Sequence, residues 1–209
     1  MTIRLAVLLS GSGSTLQNLI DRIAGKSLNA QISCVIASKA EAYGLERATA
    51  AGIPVHAVPR KEFSTQAEFN EAIWTILKDY EIDLIVLAGF MHLLDVPSAF
   101  HNRIMNVHPA LIPAFCGHKM YGNHVHKAVL DYGAKITGAT VHFVDAIYDN
   151  GPIILQQSVP VLNDDTVESL ADRVQELERE LYPRAIELYG AGRLRVDGRI
   201  VHISPEPGA

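Results

Sequence analysis

Apolar and polar positions in the first part of the chain follow the pattern of a parallel α/β sheet. Residues 3–9 form an apolar run interrupted only by Arg4, which is typical of a strand buried on both faces. After the small residues at 10–14, apolar side chains recur at helical spacing up to Gly25, a residue that often ends helices. We therefore predict a strand followed by a helix.

The alternation of strand and helix patterns continues to residue 107. Thr65 and Glu68 form a capping-box pattern at the start of a helix that runs to about residue 80. Further strands are predicted near 32–37, 55–58, 84–88 and 104–107, and a further helix near 43–51. This order predicts the α/β class, with a doubly wound, mostly parallel sheet of Rossmann-like type.

The pattern changes after Pro113. An irregular stretch precedes a predicted helix near 125–131 and strands at 137–144 and 153–160. A long helix is expected from Thr166, its cap, to residue 189, with a kink at Pro183. Alternation around Asp197-Gly198 predicts a C-terminal hairpin. For 209 residues we expect one domain over 1–209, with a phosphate-binding half (1–100) and a catalytic half (101–209).

Composition and charge narrow the function classes. With 48% apolar and 20% charged residues and a net charge of −5, the chain resembles soluble globular proteins and lacks the basic character of nucleic-acid binders. The longest apolar run, 84–91, is far shorter than the ~20 residues that cross a bilayer. Two cysteines and an N-terminus that enters a strand directly predict a cytoplasmic protein without a disulfide framework or signal peptide.

Three polar residues carry the main candidate chemistry. Asn106 and His108 are two positions apart at the end of a predicted strand, so their side chains should share a face, and Asp149 lies in a later polar turn. Singly they would be a turn cap, a core histidine and a β-turn residue. Together, an amide donor, an imidazole and a carboxylate at the carboxyl end of a parallel strand predict acyl transfer to an amine.

The loop at 10–15 is a candidate phosphate site, because small residues at a helix N-terminus let an anion approach the backbone amides. It is not the dinucleotide fingerprint, since Leu16 occupies the position of the third glycine, and it lacks the lysine of nucleoside-triphosphate loops. The alternative interpretation is a tight turn capped by Ser and Thr side chains.

Other polar groups allow more than one interpretation. Cys116, His118, His124 and His126 do not have an established zinc spacing, so no metal is expected. His142 is expected on a strand near the site, where it would either support the catalytic group by a hydrogen bond or be structural. From the residues alone, Gln175 and Glu178 read as part of a solvated charged face.

Four motifs are distinctive in combination. They are Leu9-Ser10-Gly11-Ser12-Gly13-Ser14, Leu87-Ala88-Gly89-Phe90-Met91, Asn106-Val107-His108-Pro109-Ala110-Leu111-Ile112-Pro113, and His142-Phe143-Val144 with Asp149-Asn150-Gly151-Pro152. In this combination the chain resembles the phosphoribosylglycinamide formyltransferases, folate-dependent enzymes of purine biosynthesis. The resemblance covers essentially the whole chain, including residues 37–40 and 173–183.

The resemblance implies two substrates, the glycinamide ribonucleotide and 10-formyltetrahydrofolate as co-substrate, no metal, and a monomer or homodimer. Asn106, His108 and Asp149 would be the catalytic group. The ribonucleotide would be held by Gly13, Ser14, Thr15, Gln175 and Glu178. The folate would be bound by Gln66, Met91, His92, Leu93, Leu94, Val144 and Asp145.

Two departures concern the folate side: Gln66 and His92 stand where arginine is frequent in the family. Residues 116–123 also form a longer connection than in some members. Related alternatives are methionyl-tRNA formyltransferase and formyltetrahydrofolate deformylase, which are expected to need a further domain. From other classes, the alternatives are a non-catalytic phosphometabolite sensor and a nicotinamide oxidoreductase, the latter disfavoured by the missing glycine.

Overall fold

The computed structural model describes residues 2–206, which pack as two compact units, Met1–Met105 and Asn106–Ala209. The first unit alternates strands with helices, as predicted. Its strands are β1 (Ile3–Leu9), β2 (Ala30–Ala37), β3 (Val55–Ala57) and β4 (Leu84–Leu87), and its helices are α1 (Ser14–Ala24), α2 (Tyr43–Ala50) and α3 (Gln66–Leu77). The strands lie in the order β3-β2-β1-β4 and all pair in parallel.

The core of the first unit consists of the strand runs that the sequence predicted to be buried. Six of the seven residues of β1 are buried and all four of β4, as expected for parallel strands covered on both faces. Helix α1 adds Leu16 and Leu19, both at 0% exposure. Helix α3 begins with the predicted capping box of Thr65 and Glu68. Short 3₁₀ turns lie at Arg60–Glu62 and Ser98–Phe100.

The second unit contains antiparallel pairs as well as parallel ones. Strand β5 (Ile104–His108) ends in this unit, followed by α4 (Asn123–Tyr132), β6 (Ile136–Phe143), β7 (Ile153–Pro160), α5 (Val167–Gly190), β8 (Leu194–Asp197) and β9 (Ile200–Ile203). The strand order is β5-β6-β7-β9-β8. Strands β6 and β7 pair antiparallel, as do β8 and β9, whereas β7 and β9 are parallel.

The C-terminal hairpin is present, but its turn lies one residue later than the Asp197-Gly198 pattern indicated. Asp197 still pairs, with Ile200, so the two loop residues are Gly198 and Arg199. Gly198 adopts a φ of 58° that suits glycine.

Thr166 caps α5 as predicted, and the helix continues through Pro183. The prediction of a single domain, with one half ending at residue 100 and the other beginning at residue 101, stays a prediction. Among residues 2–206, no helix has the length and apolarity needed to span a membrane.

Candidate active site

The side chains of Asn106 and His108, at the end of β5, both contact Asp149. The Asn106 amide nitrogen Nδ2 lies 3.5 Å from Asp149 Oδ1, and His108 Nδ1 lies 3.4 Å from Asp149 Oδ2. Asp149 reaches them from the connection between β6 and β7, where its φ of 52° turns the backbone sharply. The structure therefore brings the three predicted catalytic side chains together.

Burial and charge act in opposite directions on this group. Burial lowers the pKa of His108, while Asp149 and the Phe115 carbonyl partly offset it. Burial would raise the pKa of Asp149, but His142, His108 and the Gly117 amide hydrogen outweigh it, so that pKa is lowered and Asp149 is a carboxylate. Asp149 favours the His108 imidazolium, but the effect of burial exceeds it.

His142 orients the Asn106 amide. Its Nδ1 lies 2.8 Å from the Phe143 carbonyl oxygen, which can only accept, so Nδ1 carries the hydrogen. Nε2 lies 3.7 Å from Asp149 Oδ1 and 3.3 Å from Asn106 Nδ2. In the tautomer with its hydrogen on Nδ1 alone, His142 accepts one hydrogen of the Asn106 amide through Nε2. The other makes only the long 3.5 Å contact with Asp149 and is the one available for an incoming oxygen atom.

The turn that carries Asp149 is held by side-chain hydrogen bonds. Asp145 accepts from the Ile147 amide and from the Asn150 side chain, both at 2.9 Å. Gly151 approaches the Phe143 carbonyl oxygen so closely that a Cβ there would lie 1.8 Å from it. Asp145, predicted as a folate contact, is therefore also a structural residue of the turn, and the preceding Val144 is half-buried.

The candidate phosphate loop of the first unit is a tight turn at the start of α1. Gly13 has a φ of 71°, and a Cβ there would lie 2.6 Å from the Gly44 Cα, so the loop requires glycine. Ser14 and Thr15 follow in the first helical turn and are half-buried. Arg47 donates to the Ser12 carbonyl at 2.9 Å. This cation was missed because it comes from α2, and no local sequence pattern links it to the loop.

Gln66, a predicted folate residue, contacts a second cation that the sequence did not indicate, Arg60. Gln66 donates to the Leu93 carbonyl at 2.6 Å and accepts from Arg60 Nε at 3.3 Å. A further Arg60 nitrogen donates to the Phe63 carbonyl at 2.7 Å. The guanidinium thus lies directly beside Gln66. Arg60 and Gln66 are six residues apart in sequence, and this spacing is not a pattern that predicts contact.

His92 lies among aromatic rings and near positive charge. Its ring meets Phe69 edge-on, with centroids 5.3 Å apart, and its pKa is lowered by burial and by the charges of Arg60 and Lys39. Met91 is 38% exposed, and its amide donates to Ser10 Oγ at 3.0 Å. Leu94 is only 1% exposed, so it belongs to the core.

On α5, Gln175 and Glu178 are both half-buried. Gln175 Oε1 accepts from Arg179 at 3.1 Å on the exposed side. Glu178 is half-buried, and burial raises the pKa of its carboxyl to about 7. The solvated-face interpretation is therefore wrong for Glu178, because its position on the helix turns it toward protein.

The histidines and cysteine of the possible metal pattern do not form a cluster. His118 and His124 are exposed, whereas His126 is buried on α4. Within the described part of the chain, no group of three His, Cys, Asp or Glu side chains is arranged to hold a metal ion.

Comparisons with known proteins identify the family to which the chain is similar. The formyl transferase family model matches residues 3–186. The phosphoribosylglycinamide formyltransferase of Haemophilus influenzae is 39% identical over 202 residues, covering 96% of this chain and 93% of the relative. The trifunctional purine biosynthetic protein adenosine-3 of Bos taurus is 41% identical over 207 residues, or 97% of this chain. This chain spans only 20% of that longer protein.

Solved structures of formyltransferases and a related deformylase have a similar fold. The crystal structure of glycinamide ribonucleotide transformylase 1 from Symbiobacterium toebii has a TM-score of 0.91 at 43% identity and covers 98% of this chain and 95% of its own. A formyltetrahydrofolate deformylase from Pseudomonas syringae has a TM-score of 0.87 at 23% identity and covers 98% of this chain and 67% of its own, a likeness of fold alone. The predicted fold class is confirmed.

Proposed function

This chain belongs to the formyl transferase family, and we propose that it transfers the formyl group of 10-formyltetrahydrofolate to the primary amine of N1-(5-phospho-D-ribosyl)glycinamide, a reaction of purine biosynthesis. The observation that carries the proposal is the convergence of Asn106 and His108 on Asp149. It occurs in a chain 39% identical to a phosphoribosylglycinamide formyltransferase over nearly the full length of both.

Asn106 is assigned to the developing oxyanion. The neutral amine attacks the formyl carbon, and the carbonyl oxygen gains negative charge as the C–N bond forms. The Asn106 hydrogen that makes only the long contact with Asp149 can donate to this oxygen, while His142 holds the amide in place. Such a preorganised donor acts where charge develops and needs no reorganisation during the reaction.

His108 is assigned to the proton. In the tetrahedral intermediate the attacking nitrogen carries a surplus proton, and the departing folate nitrogen needs one. The imidazolium donates to the folate nitrogen as the C–N bond to folate breaks, and the surplus amine proton is released. A negative oxyanion next to the ring would act in the same direction as Asp149, against the burial that lowers the pKa of His108.

The ribonucleotide is assigned to three loop residues and two residues of α5. Gly13, Ser14 and Thr15 offer backbone amides and hydroxyls at the start of α1, where a phosphate is stabilised by the helix terminus. Glu178 and Gln175 offer acceptors for the ribose hydroxyls and the amine. Because the pKa of Glu178 is about 7, its ability to accept or to donate changes within the physiological range.

The folate is assigned to Gln66, to residues 91–94 and to the turn at Val144 and Asp145. Met91, His92 and Leu93 offer partly exposed surface, whereas Leu94 is buried in the core. Arg60 supplies the positive charge for the carboxylates of the folate tail, since it lies beside Gln66 and near His92. The cytoplasmic location and the monomeric or homodimeric state stay predictions.

The test is an incubation of the protein with 10-formyltetrahydrofolate, with and without the ribonucleotide, in which both products are measured. We expect formyl ribonucleotide to form at the rate of tetrahydrofolate release, and little release without the acceptor. Release of formate without the acceptor would identify a deformylase instead. Tight binding of both compounds without product would identify a sensor.

A further inference from the structure

Two main-chain groups of residues 115–117 contact the side chains of His108 and Asp149. The Phe115 carbonyl oxygen lies 2.8 Å from His108 Nε2, and the Gly117 amide donates to Asp149 Oδ2 at 2.9 Å. Phe115 holds this position with a φ of 50°, a region that non-glycine residues seldom adopt. Left-handed backbone at a bulky residue is maintained only where surrounding contacts enforce it.

The Phe115 contact determines which ring nitrogen keeps its hydrogen. A carbonyl oxygen only accepts, so Nε2 must carry a hydrogen whenever the 2.8 Å contact is made. In the neutral ring the bare nitrogen is then Nδ1, which lies 3.4 Å from Asp149 Oδ2. Proton uptake at Nδ1 turns an unfavourable approach of two acceptors into a favourable ion pair.

We propose that the 115–117 segment divides the work between the two nitrogens of His108: Nε2 is a permanent donor to the Phe115 carbonyl, and Nδ1 is the nitrogen that gains and loses the transferred proton. The role of Nδ1 in transfer rests on the proposed function, whereas the assignment of the hydrogens does not. Asn106 and the working nitrogen Nδ1 then both approach Asp149, one at each carboxylate oxygen.

The segment is anchored outside the site by Tyr132, the last residue of α4. The Phe115 ring meets the Tyr132 ring edge-on with centroids 5.8 Å apart, and Tyr132 is 81% exposed. Its removal should therefore leave the core intact while loosening the backbone at Phe115. Tyr132 is a positioning residue in this scheme, acting on His108 through Phe115.

Nitrogen-15 NMR of the His108 ring in the free protein tests the assignment independently of activity. As pH rises through the pKa of His108, we expect Nδ1 to lose its proton and Nε2 to keep it. A neutral ring with the hydrogen on Nδ1 would overturn the proposal. A protein that shows the expected ring but transfers no formyl group would refute the proposed function and leave this assignment standing.

Tyr132→Ala tests the anchor in the enzyme assay. The charged or titratable groups that act on His108 are Asp149, His142 on β6 and His126 on α4. The variant leaves these groups in place. It weakens the contact between the Phe115 carbonyl and His108, and because that contact raises the pKa of His108, the pKa should fall. We expect kcat to fall about tenfold or more, as for a misplaced catalytic group, with the alkaline limb of the pH profile shifted to lower pH and both KM values little changed.

Two controls separate positioning from general damage. Tyr132→Phe keeps the ring contact and should retain wild-type kcat and pH profile. Ile136→Ala removes another exposed apolar side chain, at 60% exposure in the same unit, and should also be neutral. The anchor role of Tyr132 fails if Tyr132→Ala keeps the wild-type kcat and profile, or if Tyr132→Phe is equally impaired.

Discussion

His108 and Glu178 both have pKa values shifted toward their neutral forms, one lowered and the other raised to about 7. The common cause is burial, which penalises the charged form of each group. Asp149 differs because neighbouring donors outweigh burial, and it stays a carboxylate. Residue by residue, the site therefore combines one fixed negative charge with two groups that change protonation easily.

Replacement of Asp149 by Asn tests the coupling to His108. The change removes the charge that raises the pKa of His108, so that pKa falls further. Because the imidazolium is the working form, activity is present below this pKa and lost above it. We expect kcat to drop at least about a hundredfold, the alkaline limb of the pH profile to move to lower pH, and ribonucleotide affinity to change modestly. If the alkaline limb of the pH profile did not move, Asp149 would not be coupled to His108.

Replacement of Glu178 by Gln tests the cost of burying this carboxyl. Its pKa is about 7 in the folded protein against an ordinary 4.5, so the folded state binds more protons between these values and stability falls as pH rises through the window. The amide has no such dependence. We expect the variant to gain in thermal midpoint over wild type at pH 8 but not at pH 4, and to bind the ribonucleotide more weakly. Equal differences at both pH values would contradict the raised pKa.

At the scale of helices and strands, patterns within one segment predicted most of what the structure contains. The buried run of β1, the capping box before α3, the Thr166 cap of α5 and the polar turn before β7 are local features, so their residues alone were sufficient. Features that depend on pairing between segments were missed or displaced. The turn of the last hairpin moved by one residue because strand register, rather than the Asp-Gly pattern, decided it.

Gly151→Ala tests how strictly the turn that carries Asp149 depends on backbone contact. The added Cβ would lie 1.8 Å from the Phe143 carbonyl, so β6 or the turn must shift, at an expected cost of about 1–3 kcal/mol. We expect a lower midpoint in urea unfolding and a loss of turnover in the protein that remains folded. Gly25→Ala is the control, since its φ is −75° and no contact is closer than 3.2 Å. Equal stability of the two variants would show that the turn adapts.

For the whole molecule, the net charge of −5 would oppose the binding of the two proposed substrates, both of which are anionic. Local cations must therefore offset it, and in the first unit Lys39 and Arg60 lie close enough to lower the pKa of His92. The sequence could not show this, because these cations come from separate segments that only the fold brings together. The candidate catalytic residues Asn106, His108 and Asp149 lie in two of the four motifs and could be named from the sequence, whereas Arg60 lies in none of them.

Arg60→Ala tests this charge through folate binding. We expect a higher KM for 10-formyltetrahydrofolate, a nearly unchanged KM for the ribonucleotide, and a weaker dependence of the folate KM on salt, since screening acts on the charge that has been removed. Lys61→Ala is the matched control, because it removes the neighbouring exposed cation. A folate KM that rises equally in both variants would mean that net charge, and not Arg60, is responsible.

The proposed mechanism depends most on donation of a hydrogen bond from Asn106 to the oxyanion. The rate of single-turnover formyl transfer by Asn106→Ala tests this role most directly. With both substrates saturating and folding verified by circular dichroism, we predict a transfer rate lower than wild type by about a hundredfold or more, the loss typical of a removed oxyanion donor. A folded Asn106→Ala protein that transfers the formyl group at nearly the wild-type rate would contradict the mechanism.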